Sequence, residues 1–81
     1  MRVRVELFGR AAEQAGVRTV ELDLPANATS ATAAEALAER YPRLEWLRRG
    51  SRPARNQEYA RWEDPLAEGD EVSFIPPVSG G

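Results

Sequence analysis

The chain has no cysteine and no histidine. Disulfides, thiolate nucleophiles, a side-chain persulfide, imidazole acid–base catalysis and His/Cys metal sites are thereby excluded. Lysine is missing too, because all eleven basic residues are arginine. The N-terminus is therefore the one primary amine. Two readings of this bias stay open: an arginine-rich proteome, or a chain whose own activated acyl group finds no lysine to attack it. No apolar run approaches the roughly 18 residues of a membrane span, and the opening MRVRVELF lacks a signal-peptide core. A cytoplasmic location and no membrane partner are expected. Asn27 opens an Asn-Ala-Thr acceptor pattern, read as a chance match in the absence of secretion. Basic and acidic residues are interspersed at a net charge of −2, which argues against nucleic acid as a partner.

What is present suits one small domain. At 81 residues, 42% hydrophobic and 30% charged, the chain can bury a core with little margin. Residues 2–7 alternate, with Val3, Val5 and Leu7 on one face, and residues 18–24 do the same with Val20, Leu22 and Leu24. Phe8 falls on the outer phase of the first strand. Between them, GRAAEQAG predicts a short helix closed by Gly16. The main helix follows Thr29, Ser30 or Thr32 as its cap, and Thr32 with Glu35 has capping-box spacing. Ala33, Ala34, Leu37, Ala38 and Tyr41 form its apolar stripe, and Pro42 ends it. Residues 43–53 read as irregular, with Trp46 and Leu47 against the helix end. Residues 54–62 read as a hairpin around Asn56–Glu58. Gly69 is the left-handed residue of an acidic turn. Residues 71–75 make a last strand, with Val72 and Phe74 inward and Ile75 on the outer phase. The acidic group Glu63, Asp64, Glu68, Asp70 and Glu71 and the basic run Arg48, Arg49, Arg52 and Arg55 both read as solvated loops. Strands flanking one main helix imply an α+β fold, a sheet with that helix across a single face.

The chain ends FIPPVSGG. Pro76 and Pro77 cannot donate ladder hydrogen bonds, so the sheet stops there, and their rings favour an extended exit. Residues 77–81 span about 16–18 Å at roughly 3.3–3.6 Å per residue. Gly80 and Gly81 lack side chains, which suits a narrow channel. The reactive group of this tail is the Gly81 carboxylate. A carboxylate needs activation to become an acyl donor, and no Walker-type phosphate loop occurs here, so activation falls to a partner.

These residues resemble a known family. PPVSGG, the preceding LAEGDEVSFIPP and the N-terminal VELFGRAAEQAG are together similar to the molybdopterin synthase small subunit (MoaD type), one of the β-grasp, ubiquitin-like sulfur carriers. The likeness covers essentially the whole chain. A Gly-Gly end alone fits any sulfur carrier or ubiquitin-like modifier. The resemblance implies a mixed-sheet β-grasp domain over residues 1–76 and a flexible, extended tail over 77–81. It implies that an E1-like adenylyltransferase (MoeB type) uses ATP and Mg²⁺ to adenylate Gly81, and that a sulfur donor protein then converts the adenylate to a thiocarboxylate. The tail would enter the large synthase subunit (MoaE type) and give sulfur to cyclic pyranopterin monophosphate, in a heterotetramer. Catalytic side chains are then expected on the large subunit, with no metal or cofactor held by this chain. The resemblance also implies a docking patch at Phe8, Tyr59 and Ile75, with Pro76, Pro77, Val78 and Ser79 leading to Gly80 and Gly81. Where relatives often carry arginine, this chain has Ala12. A protein modifier joined through Gly81, a carrier for thiamine or tRNA thiolation, and a passive binding domain remain the alternatives.

Overall fold

The computed structural model describes residues 1–77. The two alternating segments become β1 (Arg2–Glu6) and β2 (Thr19–Asp23), an antiparallel pair. Val3 lies opposite Leu22 and Val5 opposite Val20, so the apolar phases coincide and all four side chains are buried. Between them α1 (Gly9–Ala15) stops at Gly16, whose φ of 77° places it in the left-handed region open to glycine.

The main helix is α2 (Ser30–Arg40). Its cap is a Thr29–Thr32 box, not the Thr32–Glu35 pair expected from spacing. The Thr29 hydroxyl accepts from the Thr32 N–H at 3.3 Å, and the Thr32 hydroxyl accepts from the Thr29 N–H at 3.0 Å. The reason is backbone geometry: Thr29 is extended and Ser30 is already helical, so Thr32 is the third helical residue and cannot serve as a cap. Ala33, Ala34 and Leu37 are buried in the same apolar cluster as the inward residues of β1 and β2. Tyr41, before Pro42, leaves helical geometry at φ −130° and ψ 87°.

The segment after Pro42 is more ordered than its composition suggests. A 3-10 turn (Pro42–Leu44) and a one-turn α3 (Leu47–Gly50) replace the expected irregular stretch. Leu44 and Leu47, three residues apart, are both fully buried, and that anchoring overrides the arginines around them. The next strand also begins two residues earlier than expected. β3 (Arg52–Arg55) and β4 (Glu58–Tyr59) form the hairpin, and β5 (Glu71–Ile75) is the last strand. Pro53 is compatible with β3 because its carbonyl accepts from the Ala60 N–H at 2.9 Å. Its nitrogen points the same way, so the missing donor ends the β3–β4 ladder without touching β5.

The sheet order is β2-β1-β5-β3-β4. β1 and β5 are parallel, and every other pairing is antiparallel. With α2 across one face, this is the mixed-sheet β-grasp arrangement. The core adds Val72 and Phe74 from β5, and the Phe74 ring stacks on Trp62 with centroids 5.9 Å apart. Among the described residues, no helix is long and apolar enough to cross a membrane.

Asp70 corrects the reading of the acidic turn as solvated. It is buried, and its carboxylate accepts from Arg55 Nε at 2.6 Å, the Ala67 N–H at 2.8 Å and Asn56 Nδ2 at 3.1 Å. Burial pushes its pKa up, but the hydrogen bonds from Ala67, Asn56 and Arg55 outweigh that and hold it below the ordinary aspartate value. Arg55 is thereby drawn out of the basic run expected to be solvated. Arg48 leaves that run too, with its guanidinium 4.6 Å from the Trp62 ring centre.

Two substitutions should act with opposite sign. Asp70→Ala removes the buried acceptor of three part-buried hydrogen bonds and is expected to cost about 1–3 kcal/mol in urea unfolding. The folded-state pKa lies below the unfolded one, so Asp70's contribution is complete above about pH 4 and is lost as pH falls through the lowered value. The stability difference between wild type and Asp70→Ala should shrink accordingly in acid. Ser30 is fully buried, and among the described residues its hydroxyl has no hydrogen-bond partner. Ser30→Ala should therefore leave stability unchanged or raise it, read by the same unfolding curves.

Candidate docking face and tail root

The parallel pairing of β1 with β5 determines where the outer-phase apolar residues meet. Parallel strands end at the same edge of a sheet. Phe8, two residues beyond β1, and Ile75, the last residue of β5, therefore emerge side by side. The face opposite α2 also carries a row that crosses four strands. Glu6 lies opposite Ser73, Ser73 opposite Ala54, and Ala54 opposite Tyr59. Ser73 and Ala54 are small and buried, and they form the floor of a groove. Phe8 and Tyr59 are its large exposed walls, 55% and 62% accessible. With Ile75, Gln57 and Glu71 these residues enclose a shallow depression of about 420 Å³.

The expected docking residues Phe8, Tyr59 and Ile75 thus line one groove. Pro76 and Pro77 continue from its Ile75 end and are exposed. Val78, Ser79, Gly80 and Gly81 lie outside the described residues. The groove's polar margin is neutralised internally. The Glu71 carboxylate accepts from Arg4 at 3.2 Å, and Arg4 also pairs with Glu6 at 3.0 Å. Arg52, assigned to a solvated run on sequence, holds its guanidinium 4.2 Å from the Tyr59 ring centre. Such a cation–π contact covers one ring face and restricts the ring's rotation. Among the described residues that line the groove Glu71 is the one acidic residue, and it is ion-paired with Arg4.

Sequence reasoning missed the floor residues Ala54 and Ser73, and Gln57 at the rim. Ser73 alternates with Val72 and Phe74, so the strand period alone could have placed it outward. Ala54 and Gln57 needed the hairpin register, which the period does not supply. A second depression of about 770 Å³ flanks the tail root on the helical side, lined by Arg10, Glu45, Trp46, Arg49, Gly50 and Pro76. There Arg10 lies 4.7 Å from the Trp46 ring centre, and Trp46 Nε1 donates to Gln14 at 2.7 Å. The chain's single amine, the Met1 ammonium, donates to the Leu24 carbonyl at 2.6 Å on the far edge pair β1–β2.

The family model described as the ThiS family matches residues 5–81. The chain belongs to the ThiS family. A molybdopterin synthase sulfur carrier subunit of Arabidopsis thaliana is 35% identical, covering 98% of this chain and 82% of its own length. Small archaeal modifier protein 1 of Haloferax volcanii is 39% identical, covering 94% of this chain and 97% of its own length. The crystal structure of that Haloferax protein superposes with a TM-score of 0.84 over all of both chains at 34% identity. A chain from the complex of subunits 1 and 2 of molybdopterin-converting factor from Helicobacter pylori 26695 superposes with a TM-score of 0.69 at 27% identity, over all of both chains. A ubiquitin of Caldiarchaeum subterraneum superposes at 0.64 with 17% identity, over 100% of this chain and 98% of its own, which extends the likeness to the ubiquitin-like fold alone.

The groove walls are expected to be dispensable for folding. Phe8→Ala and Tyr59→Ala should each shift unfolding stability by no more than about 0.5 kcal/mol, as surface changes do. A larger loss in urea titration would mean that the walls belong to the core.

Proposed function

We propose that this ThiS family chain is a sulfur carrier, the small subunit of molybdopterin synthase. The Gly81 carboxylate attacks the α-phosphate of ATP on an E1-like adenylyltransferase that holds Mg²⁺, and pyrophosphate leaves. A sulfur donor then displaces AMP to give the C-terminal thiocarboxylate. The loaded tail enters the large synthase subunit, where its sulfur passes to cyclic pyranopterin monophosphate and builds the dithiolene of molybdopterin. The side chains that catalyse transfer belong to that large subunit. The observation that carries this reading is the ThiS family match running through Gly81, with relatives named sulfur carrier subunits spanning nearly the whole chain. The Helicobacter complex of two converting-factor subunits supports a large-subunit partner.

In this reading the groove of Phe8, Tyr59 and Ile75 docks the partner while Pro76 and Pro77 direct Val78, Ser79, Gly80 and Gly81 into its active site. An apolar groove at the root of the tail supplies affinity without chemistry, which suits a carrier that must be released after each delivery. A second reading is favoured by the Haloferax relative, a modifier protein. The same adenylated Gly81 could be captured by an amine of a target protein, forming an amide and releasing AMP. Activation is shared, and the acceptor alone differs.

Incubating the full chain with its E1-like partner, ATP and a sulfide source should raise its intact mass by the oxygen-to-sulfur difference. The loaded chain plus large subunit should then convert the pyranopterin. Deleting Gly81, or adding one residue after it, should abolish loading while leaving the unfolding curve unchanged. A capped chain that still supported molybdenum-cofactor synthesis would overturn the carrier reading. High-mass adducts in cells that disappear with Gly81 would favour the modifier reading. Tyr59→Ala or Phe8→Ala should weaken large-subunit binding by about tenfold, the cost of a truncated aromatic anchor.

A further inference from the structure

The β3–β4 hairpin turns through two residues in the left-handed region, Asn56 at φ 51° and Gln57 at φ 71°. Both signs match a type I′ turn, whose second central position strongly prefers glycine. Asparagine tolerates this region, and Asn56 is held there. Its N–H donates to the Glu71 carbonyl at 2.7 Å, its Oδ1 accepts from the Glu71 N–H at 3.0 Å, and its Nδ2 donates to Asp70. Gln57 has no such compensation. It is exposed, and among the described residues its amide takes part in no hydrogen bond. A β-carbon at positive φ crowds the following carbonyl, and a glycine would remove that cost. Local folding therefore disfavours glutamine at this position. What Gln57 does have is a place among the residues that line the groove, with Tyr59 and Glu71.

We propose that Gln57 is a specificity-determining contact of the docking face, kept in a conformation better suited to glycine so that its carboxamide stands at the groove's rim. This rests on the docking role given to that groove above. A carboxamide is neutral and offers both a donor and an acceptor. The group it fits is a main-chain amide of the docked subunit, able to answer both. The apolar walls Phe8 and Tyr59 reward any apolar partner surface, whereas the Gln57 amide rewards a partner that places a polar group beside them. A partner that leaves this amide buried and unanswered is penalised.

Three variants of the full chain test this by thermal unfolding and by calorimetric titration with the cognate large subunit of molybdopterin synthase. Gln57→Gly should raise the unfolding midpoint by about 4 °C, as relief of one left-handed β-carbon predicts for a domain of this size. It should also weaken large-subunit binding by about fivefold or more, the loss of one net hydrogen bond. Gln57→Glu keeps the side chain's length but only accepts, and should bind at least as weakly as Gln57→Gly. A Gln57→Gly midpoint at or below wild type, or a smaller loss of affinity in either variant, overturns the proposal. The Phe8→Ala/Tyr59→Ala double variant separates the two layers. If it loses binding while Gln57→Gly does not, this inference alone fails. If it binds as tightly as wild type, the docking face itself is wrong, and this inference falls with it.

Discussion

The parallel pairing of β1 with β5 is the constraint on which the rest of the molecule depends. It joins the first strand to the last at the centre of the sheet, with Arg4 opposite Glu71 and Val5 opposite Val72. An antiparallel arrangement would have sent Phe8 and Ile75 to opposite edges. Because the strands run the same way, both leave the sheet at one end, and an apolar groove forms where the tail departs. The core face follows from the same pairing. Val3, Val5, Val72 and Phe74 present a continuous apolar surface, and α2, with alanines at Ala33 and Ala34, can approach it closely around Leu37.

The hairpin is tied to this central pair by hydrogen bonds to the start of β5. Asn56 pairs with the Glu71 backbone through both its main chain and its side chain, and Asp70 joins Arg55, Asn56 and Ala67. These contacts fix the register of β3 on β5, and with it the row Ser73, Ala54, Tyr59. A slip of one residue would turn Tyr59 and Ala54 to the opposite face and erase the groove. A buried carboxylate thus sets the geometry of the groove. The latch and the groove also lie on neighbouring residues, since Asp70 precedes Glu71 and Asn56 precedes Gln57. The contacts that fix the hairpin and the lining of the groove therefore share one turn.

Division of labour follows from the chemistry of the side chains. A chain without cysteine, histidine or lysine has few means of making or breaking bonds, and its described face offers apolar contact and internally paired charge. That suits the proposed role of a sulfur carrier acting with a partner subunit. The cation–π contact of Arg52 on Tyr59 and the ion pairs of Arg4 with Glu6 and Glu71 leave the groove electrostatically quiet. If the groove docks a partner as proposed, affinity there rests on shape and desolvation more than on charge.

Period-two alternation in RVRVEL and RTVELDL, the alanine–leucine stripe of α2 and the glycine at position 16 were legible in the sequence, because strand and helix periodicity act over a few residues. The stop of the sheet at Pro76 and Pro77 was legible for the same reason, since two prolines need no tertiary context. Phe8 and Ile75 were readable as outward residues, since each breaks the inward phase of its own strand. Misread were the features set by distant contacts. Leu44 and Leu47 order an arginine-rich segment by entering the core, and Asp70 is buried by Arg55 and Asn56. By itself, then, the sequence determined the two alternating strands, the main helix and the end of the sheet at the two prolines. Only the tertiary structure decided that Phe8, Tyr59 and Ile75 share one groove and that Gln57 stands at its rim, because register between strands far apart in the chain is set by the sum of packing and hydrogen bonds across the sheet, which no local pattern encodes.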